Sequence, residues 1–255
     1  MSPHRSRFAT VASLLFCIVA VACAPAPARG QVAGIERVPD GLIFQGAIDT
    51  PAVERLEREL RPGDRLLIDS QGGDDSAALR LAELVVARDV RVLVNGRCFA
   101  QCATYVFVAA RGGTIRQGTY LLFGPSPLAT EAALKRKPGL LKPDESAAWT
   151  AHLTRYRKLL AKVSGAEKVL ACTDRALGAE AATAAVGPRR AGDLRSVRLP
   201  STYDLAAVSP DRLTTAGFKL DEGSWFAPAG SRGSAAKFLD RKVVWLDSPD
   251  ACAAR

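Results

Sequence analysis

Histidine is nearly absent from this chain: its 255 residues hold two, His4 and His152, of which the first lies in the leader. That leaves a zinc site short of its usual nitrogen ligands, and no metal or other cofactor is expected. Dense positive charge is missing as well. Lys and Arg outnumber Asp and Glu by nine, yet they cluster only at Lys135-Arg136-Lys137, Arg155–Lys158 and Arg189-Arg190. So dispersed a charge speaks for a soluble basic surface and against nucleic acid as a partner. Past the leader no run is long and apolar enough to span a bilayer, and there is no internal repeat. Aromatic residues make up 6% of a chain that is 48% hydrophobic, which suits an α/β core of Ala, Leu and Val.

The first 28 residues have the order of a secretory signal: Arg5 and Arg7, an apolar run over Val11–Ala22, then small residues and prolines. Two processing routes are open. Cleavage after Ala28 releases a protein with 33 basic and 26 acidic residues, located in the periplasm or secreted. Alternatively, Ala20-Val21-Ala22-Cys23 resembles a lipoprotein box, in which Cys23 would carry a membrane anchor. Without leucine three residues before the cysteine, the soluble form is the preferred expectation. The membrane is a partner only if Cys23 is lipidated.

Cleavage leaves Cys98, Cys102, Cys172 and Cys252, an even number in an oxidising compartment. One helical turn brings residues four apart within bridging range, so Cys98–Cys102 is expected to be a disulfide. Cys172–Cys252 then pair by elimination.

Beyond an Ala/Pro/Gly linker, Ile35–Ile48 reads as extended chain broken by a turn at Pro39–Gly41. Thr50-Pro51 opens a helix with Val53, Leu56 and Leu60 on one face. Leu66–Ile68 is a short buried strand, and Asp74 or Asp75 caps a helix to about Arg88. Val90–Val94 and Thr114–Phe123 are the next strands. Pro125–Pro143 reads as a lid-like loop, followed by a helix from Asp144 to about Val163 and an alanine-rich helical stretch over Ala166–Ala185. Gly217–Trp225 reads as a closing hairpin or strand, and Lys242–Leu246 as one strand in a tail. Strands alternating with helices predict an α/β fold on a mostly parallel sheet. The expected divisions are 1–28, a signal; 29–42, linker and first strand; 43–229, the main domain; and 230–255, a tail.

The decisive stretch is Gly96-Arg97-Cys98-Phe99-Ala100-Gln101-Cys102-Ala103, between a β-branched run and the wholly apolar Tyr105–Ala110. It follows Asp69-Ser70-Gln71-Gly72-Gly73 by about two dozen residues. A glycine pair after one strand lets backbone N–H groups approach a ligand and hold a developing oxyanion. Over Ile43 to about Phe123 this order resembles the Clp protease/crotonase superfamily and its exported relatives. The resemblance implies a ClpP/crotonase-like ββα spiral with C-terminal helices, and Gly72 and Gly73 as oxyanion-type donors. Cys98-Phe99-Ala100-Gln101-Cys102 looks like that family's Cys-x-Ser-x-Cys turn with serine replaced by Ala100. The family's histidine would fall at Gly124.

Acyl transfer needs an activated hydroxyl and a base to take its proton. With both positions substituted, the expectation is a proteolytically inactive module that binds peptide or protein. The resemblance also implies self-association into a homo-oligomer. The alternative is an unconventional serine hydrolase that uses Ser70 or Ser126 with His152.

Overall fold

The computed structural model describes residues 33–110, 112–179, 182–187 and 194–248, all within a compact unit spanning Gln31–Arg255. The expected signal, Cys23 and Cys252 lie outside the described residues.

The chain opens with an antiparallel hairpin, β1 (Gly34–Val38) and β2 (Gly41–Gln45), turning where Pro39–Gly41 predicted. Helix α1 (Thr50–Glu59) follows, capped by Asp49, which accepts from the Ala52 amide. The cap is thus one residue earlier than expected, leaving Thr50 and Pro51 inside the first turn. Strand β3 (Arg65–Ser70) leads into the glycine pair, and Asp74 caps α2 (Asp75–Ala87). Strand β4 (Arg91–Phe99) ends beside Ala100, and a π-helical segment, Cys102–Phe107, follows with every residue buried.

β5 (Gly112–Ile115) and β6 (Tyr120–Phe123) stand where one strand was expected. The reason is a fork in β4. Its first half, Val92–Val94, pairs with β5, and its second half, Arg97–Phe99, pairs with β6. Gly96 sits at the fork with φ of 144°, and its register against β3 shifts between Ile68 and Ser70. Asp69 closes the fork by accepting from the Arg97 amide and its Nε at 3.0 and 2.9 Å.

The stretch expected as a lid-like loop contains a helix, α3 (Pro127–Arg136), started by Ser126 and the proline. α4 (Pro143–Leu160) buries Trp149, His152, Leu153 and Tyr156. α5 (Ala166–Leu177) stops well before Ala185 because Gly178, at φ 73°, takes the left-handed cap. A two-stranded ribbon follows, β7 (Ala185–Val186) with β8 (Val197–Arg198), and then β9 (Leu205–Val208) and α6 (Pro210–Thr215).

Of the hairpin or strand expected over Gly217–Trp225, a short strand forms: β10 (Lys219–Leu220), which pairs in parallel with β5. Residues 230–248 are not a separate tail: α7 (Arg232–Leu239) leads into β11 (Val243–Leu246), which pairs in parallel with β9. Likewise the boundary expected at residue 43 falls inside the hairpin of the same sheet.

The result is an α/β protein on one nine-stranded, mostly parallel sheet, ordered β1-β2-β3-β4-β6-β9-β11, with β5 and β10 branching from β4. The π-helical segment is sandwiched between α2 and the sheet, where Val106, Phe107 and Val108 are fully buried. A smaller cluster, Phe99, Leu122, Leu205, Ala207 and Val243, forms a second core. No helix among the described residues is long and apolar enough to cross a membrane.

A Cβ at Gly96 would lie 2.6 Å from the Asp69 Cγ and would have to adopt a φ that L-residues avoid. Gly96→Ala is therefore expected to lower stability to urea unfolding by about 1–3 kcal/mol. An unchanged midpoint would show that the fork tolerates a side chain.

Candidate functional site

Three chain segments converge at the C-terminal ends of β3, β4 and β6. The first is the glycine pair, placed by a parallel bridge between Ile48 and Gly73. A Cβ on Gly73 would lie 2.1 Å from the Ile48 carbonyl oxygen, so only glycine fits. Gly72, at φ 98°, abuts the β4 turn: a Cβ there would come within 2.6 Å of Gln101 Oε1 and 3.0 Å of the Phe99 carbonyl oxygen.

The second segment is the turn after β4. Ala100 has φ of 47°, a left-handed conformation that costs a residue with a Cβ about 1–2 kcal/mol. It is pinned from both sides. Its amide donates to the Leu122 carbonyl at 2.9 Å, and its carbonyl accepts from both the amide and the hydroxyl of Thr104 at 2.8 Å. The disulfide Cys98–Cys102 straddles it, with Cα atoms 5.0 Å apart and both cysteines fully buried. The spacing argument placed both cysteines on a helix. In fact Cys98 is the last residue but one of a strand and Cys102 starts the π-helical segment, so the bridge clamps the bend itself. Cys172 is also disulfide-bonded, while Cys252 lies outside the described residues.

The third segment is Gly124, directly after β6. A Cβ there would stand 3.2 Å from both Cα and Cβ of Ala100. The two positions that the family resemblance marks for nucleophile and base therefore face each other, one bearing a methyl group and the other a hydrogen.

The remaining candidates are dispersed. Ser70 is buried, accepts from the Gly72 amide at 3.1 Å and donates to the Gly72 carbonyl at 3.3 Å. It stabilises the glycine turn, and it takes up one of the two amides expected to hold an oxyanion. The Gly73 amide alone is directed elsewhere, to Gln101 Oε1 at 3.4 Å. Ser126 is fully buried, donates to Asp174 Oδ2 and caps α3 by accepting from the amides of Leu128 and Ala129. His152 reaches neither serine; its Nε2 lies 2.9 Å from the Tyr105 hydroxyl. The hydrolase arrangement built on Ser70 or Ser126 thus lacks its link from hydroxyl to imidazole.

Asp75 is the residue that the sequence offered only as an alternative helix cap. Asp74 takes the cap, and the carboxyl of Asp75 accepts from the Tyr105 hydroxyl at 3.0 Å and from Gln101 Nε2 at 3.4 Å. Burial pushes it up to about 6, helped by the charge of Asp74 and opposed by the bonds from Tyr105 and Gln101. The Tyr105 phenol, raised by burial and by Asp75, keeps its proton. With Asp75 ionised, that single proton goes to Asp75, and His152 then donates through Nε2–H to the phenol oxygen. Burial, with the Arg155 charge, lowers His152 to about 4, consistent with a neutral ring. Trp149 and Tyr105 meet that ring edge-on. The outcome is a polar chain running Gln101–Asp75–Tyr105–His152 beneath the cleft floor. The spacing of Gln101 and Tyr105, one helical turn, was the available signal.

These residues open on a cleft of about 500 Å³ lined by Asp75, Ala100, Gln101, Gly124 and Trp149, with Val197–Ser201 as its far wall. Its polar lining is the carboxyls of Asp75, pushed up to about 6, and Asp204, the Gln101 carboxamide, the Arg198 guanidinium and the hydroxyls of Thr130 and Ser201, with no hydroxyl or thiol at the bend itself. Among the described residues no cluster of His, Cys, Asp and Glu could hold a metal ion. No protein-family model matches the chain, and no curated protein matches it.

The two shifted groups oppose each other in stability. Folded Asp75 keeps a proton that the unfolded chain releases above 3.8, so its contribution falls as pH rises towards 6. Folded His152 lacks a proton that the unfolded chain binds below 6.5, so its contribution falls as pH drops towards 4. Between these limits they nearly cancel. Relative to the unmodified protein, Asp75→Asn is expected to make the slope of unfolding free energy against pH more positive, by up to about 1.4 kcal/mol per unit. His152→Gln should make it more negative. Urea titrations at stepped pH measure both, and equal slopes in all three proteins would contradict the assignment.

Proposed function

We propose that this chain is an exported relative of the Clp-type proteases that binds a peptide without cleaving it. One observation carries the reading: at a left-handed bend of the kind that presents a nucleophile, the methyl of Ala100 faces Gly124, where a base would stand. Acyl-enzyme formation needs both missing groups, and neither serine considered as a substitute adjoins the imidazole.

An extended peptide suits the cleft that remains. Its wall includes the β7–β8 ribbon, whose outer edges pair with no strand among the described residues, and a peptide can add to such an edge through its main chain. Export by the leader, release after Ala28 or anchoring at Cys23, and assembly with further copies of the chain belong to the same proposal.

A fluorophosphonate probe tests the inactive half of this reading. The purified protein is expected to remain unlabelled, and Ala100→Ser alone is expected to stay unlabelled because Gly124 supplies no base. Labelling of the unmodified protein that Ser70→Ala or Ser126→Ala abolishes would overturn it.

A further inference from the structure

The side chain of Gln101 lies across the polar floor of the cleft in an unusual way. Its carbonyl oxygen accepts from the Gly73 amide, and its Nε2 donates to Asp75 Oδ1. The partners fix this orientation, since the reverse would set two donors against each other at Gly73 and two acceptors at Asp75. A carboxamide bonded in this way has the same donor and acceptor as a peptide unit. Both contacts are 3.4 Å, at the long end of the hydrogen-bond range, so each holds the side chain weakly.

We propose that Gln101 is a displaceable internal occupant of the cleft, holding the place of one peptide unit of the ligand. On displacement the ligand's carbonyl takes the Gly73 amide and its N–H is read by Asp75. Tyr105 and His152 act behind Asp75 as positioning residues, fixing its carboxyl by hydrogen bonds. Gln101 has an ordinary right-handed helical backbone, so its side chain can rotate into the open cleft while Ala100 stays pinned. The inference rests on the peptide-binding reading and adds to it a specificity: the ligand needs an unsubstituted N–H at this position. It also adds self-competition, because the empty protein bonds to itself what the ligand would bond to.

The test uses acetyl-tetraalanine amide and its fully N-methylated analogue, titrated into 15N-labelled protein and followed at the amides of Gly73, Ala100 and Gly124. Gln101→Ala is expected to bind the tetraalanine peptide about threefold or more tightly than the unmodified protein, the loss of one competing hydrogen-bonded group. The methylated peptide should bind more weakly than its parent to the same variant. Gln101→Glu serves as a second variant if alanine disturbs the fold. Its carboxylate has no N–H for Asp75 and is repelled by it, so tighter peptide binding is again expected. If the peptide moves the Ala100 and Gly124 amides equally in all proteins with unchanged Kd, the displacement idea fails and the peptide-binding reading stands. If neither peptide moves these amides in any protein, both fail.

Discussion

Ala100 is held in a conformation that a residue with a Cβ avoids, and the rest of the site is arranged around that fact. The strain persists because the surroundings over-determine it: β6 fixes the amide, Thr104 fixes the carbonyl, and the Cys98–Cys102 bridge clamps the flanks. The fork at Gly96 contributes by sending the second half of β4 to β6, which brings the bend alongside Gly124. The packed π-helical segment then anchors the bend from beneath. Such a frame is what a nucleophile would need, and here it presents a methyl group.

Beneath it, polar groups that could have served chemistry hold one another. Ser70 binds the glycine turn, Ser126 binds Asp174, and His152 binds Tyr105. Asp75 is held too, by Tyr105 and Gln101, but its carboxyl also lines the cleft and burial pushes it up to about 6. Its opposition to His152 in pH dependence follows from burial of both groups, and the phenol of Tyr105 between them keeps both satisfied in the neutral range.

The strands and helices up to Val94 and the glycine turn were legible in the sequence, since local periodicity and turn residues carry them, whereas the expectation that Ala100 and Gly124 belong to one site came only from the family resemblance. The branching of β4 was not legible, because a strand that changes neighbours midway leaves only a glycine and a charge to mark the place. The helix over Pro127–Arg136 was masked by prolines and basic residues whose cap, Ser126, gains its strength from Asp174, 48 residues away. Asp75 and Gln101 were hidden for a similar reason. Two adjacent aspartates at a helix start look alike until tertiary contacts give one the cap and the other the cleft.

The most direct test of this account is the unfolding free energy of Ala100→Gly. Glycine takes φ of 47° without a steric penalty, so relief of strain should outweigh its greater unfolded-state entropy and the variant should be more stable by a few tenths to about 1 kcal/mol. A variant less stable than the unmodified protein by about 1 kcal/mol, the ordinary cost of glycine in place of alanine, would show that the bend is unstrained and would contradict the central claim.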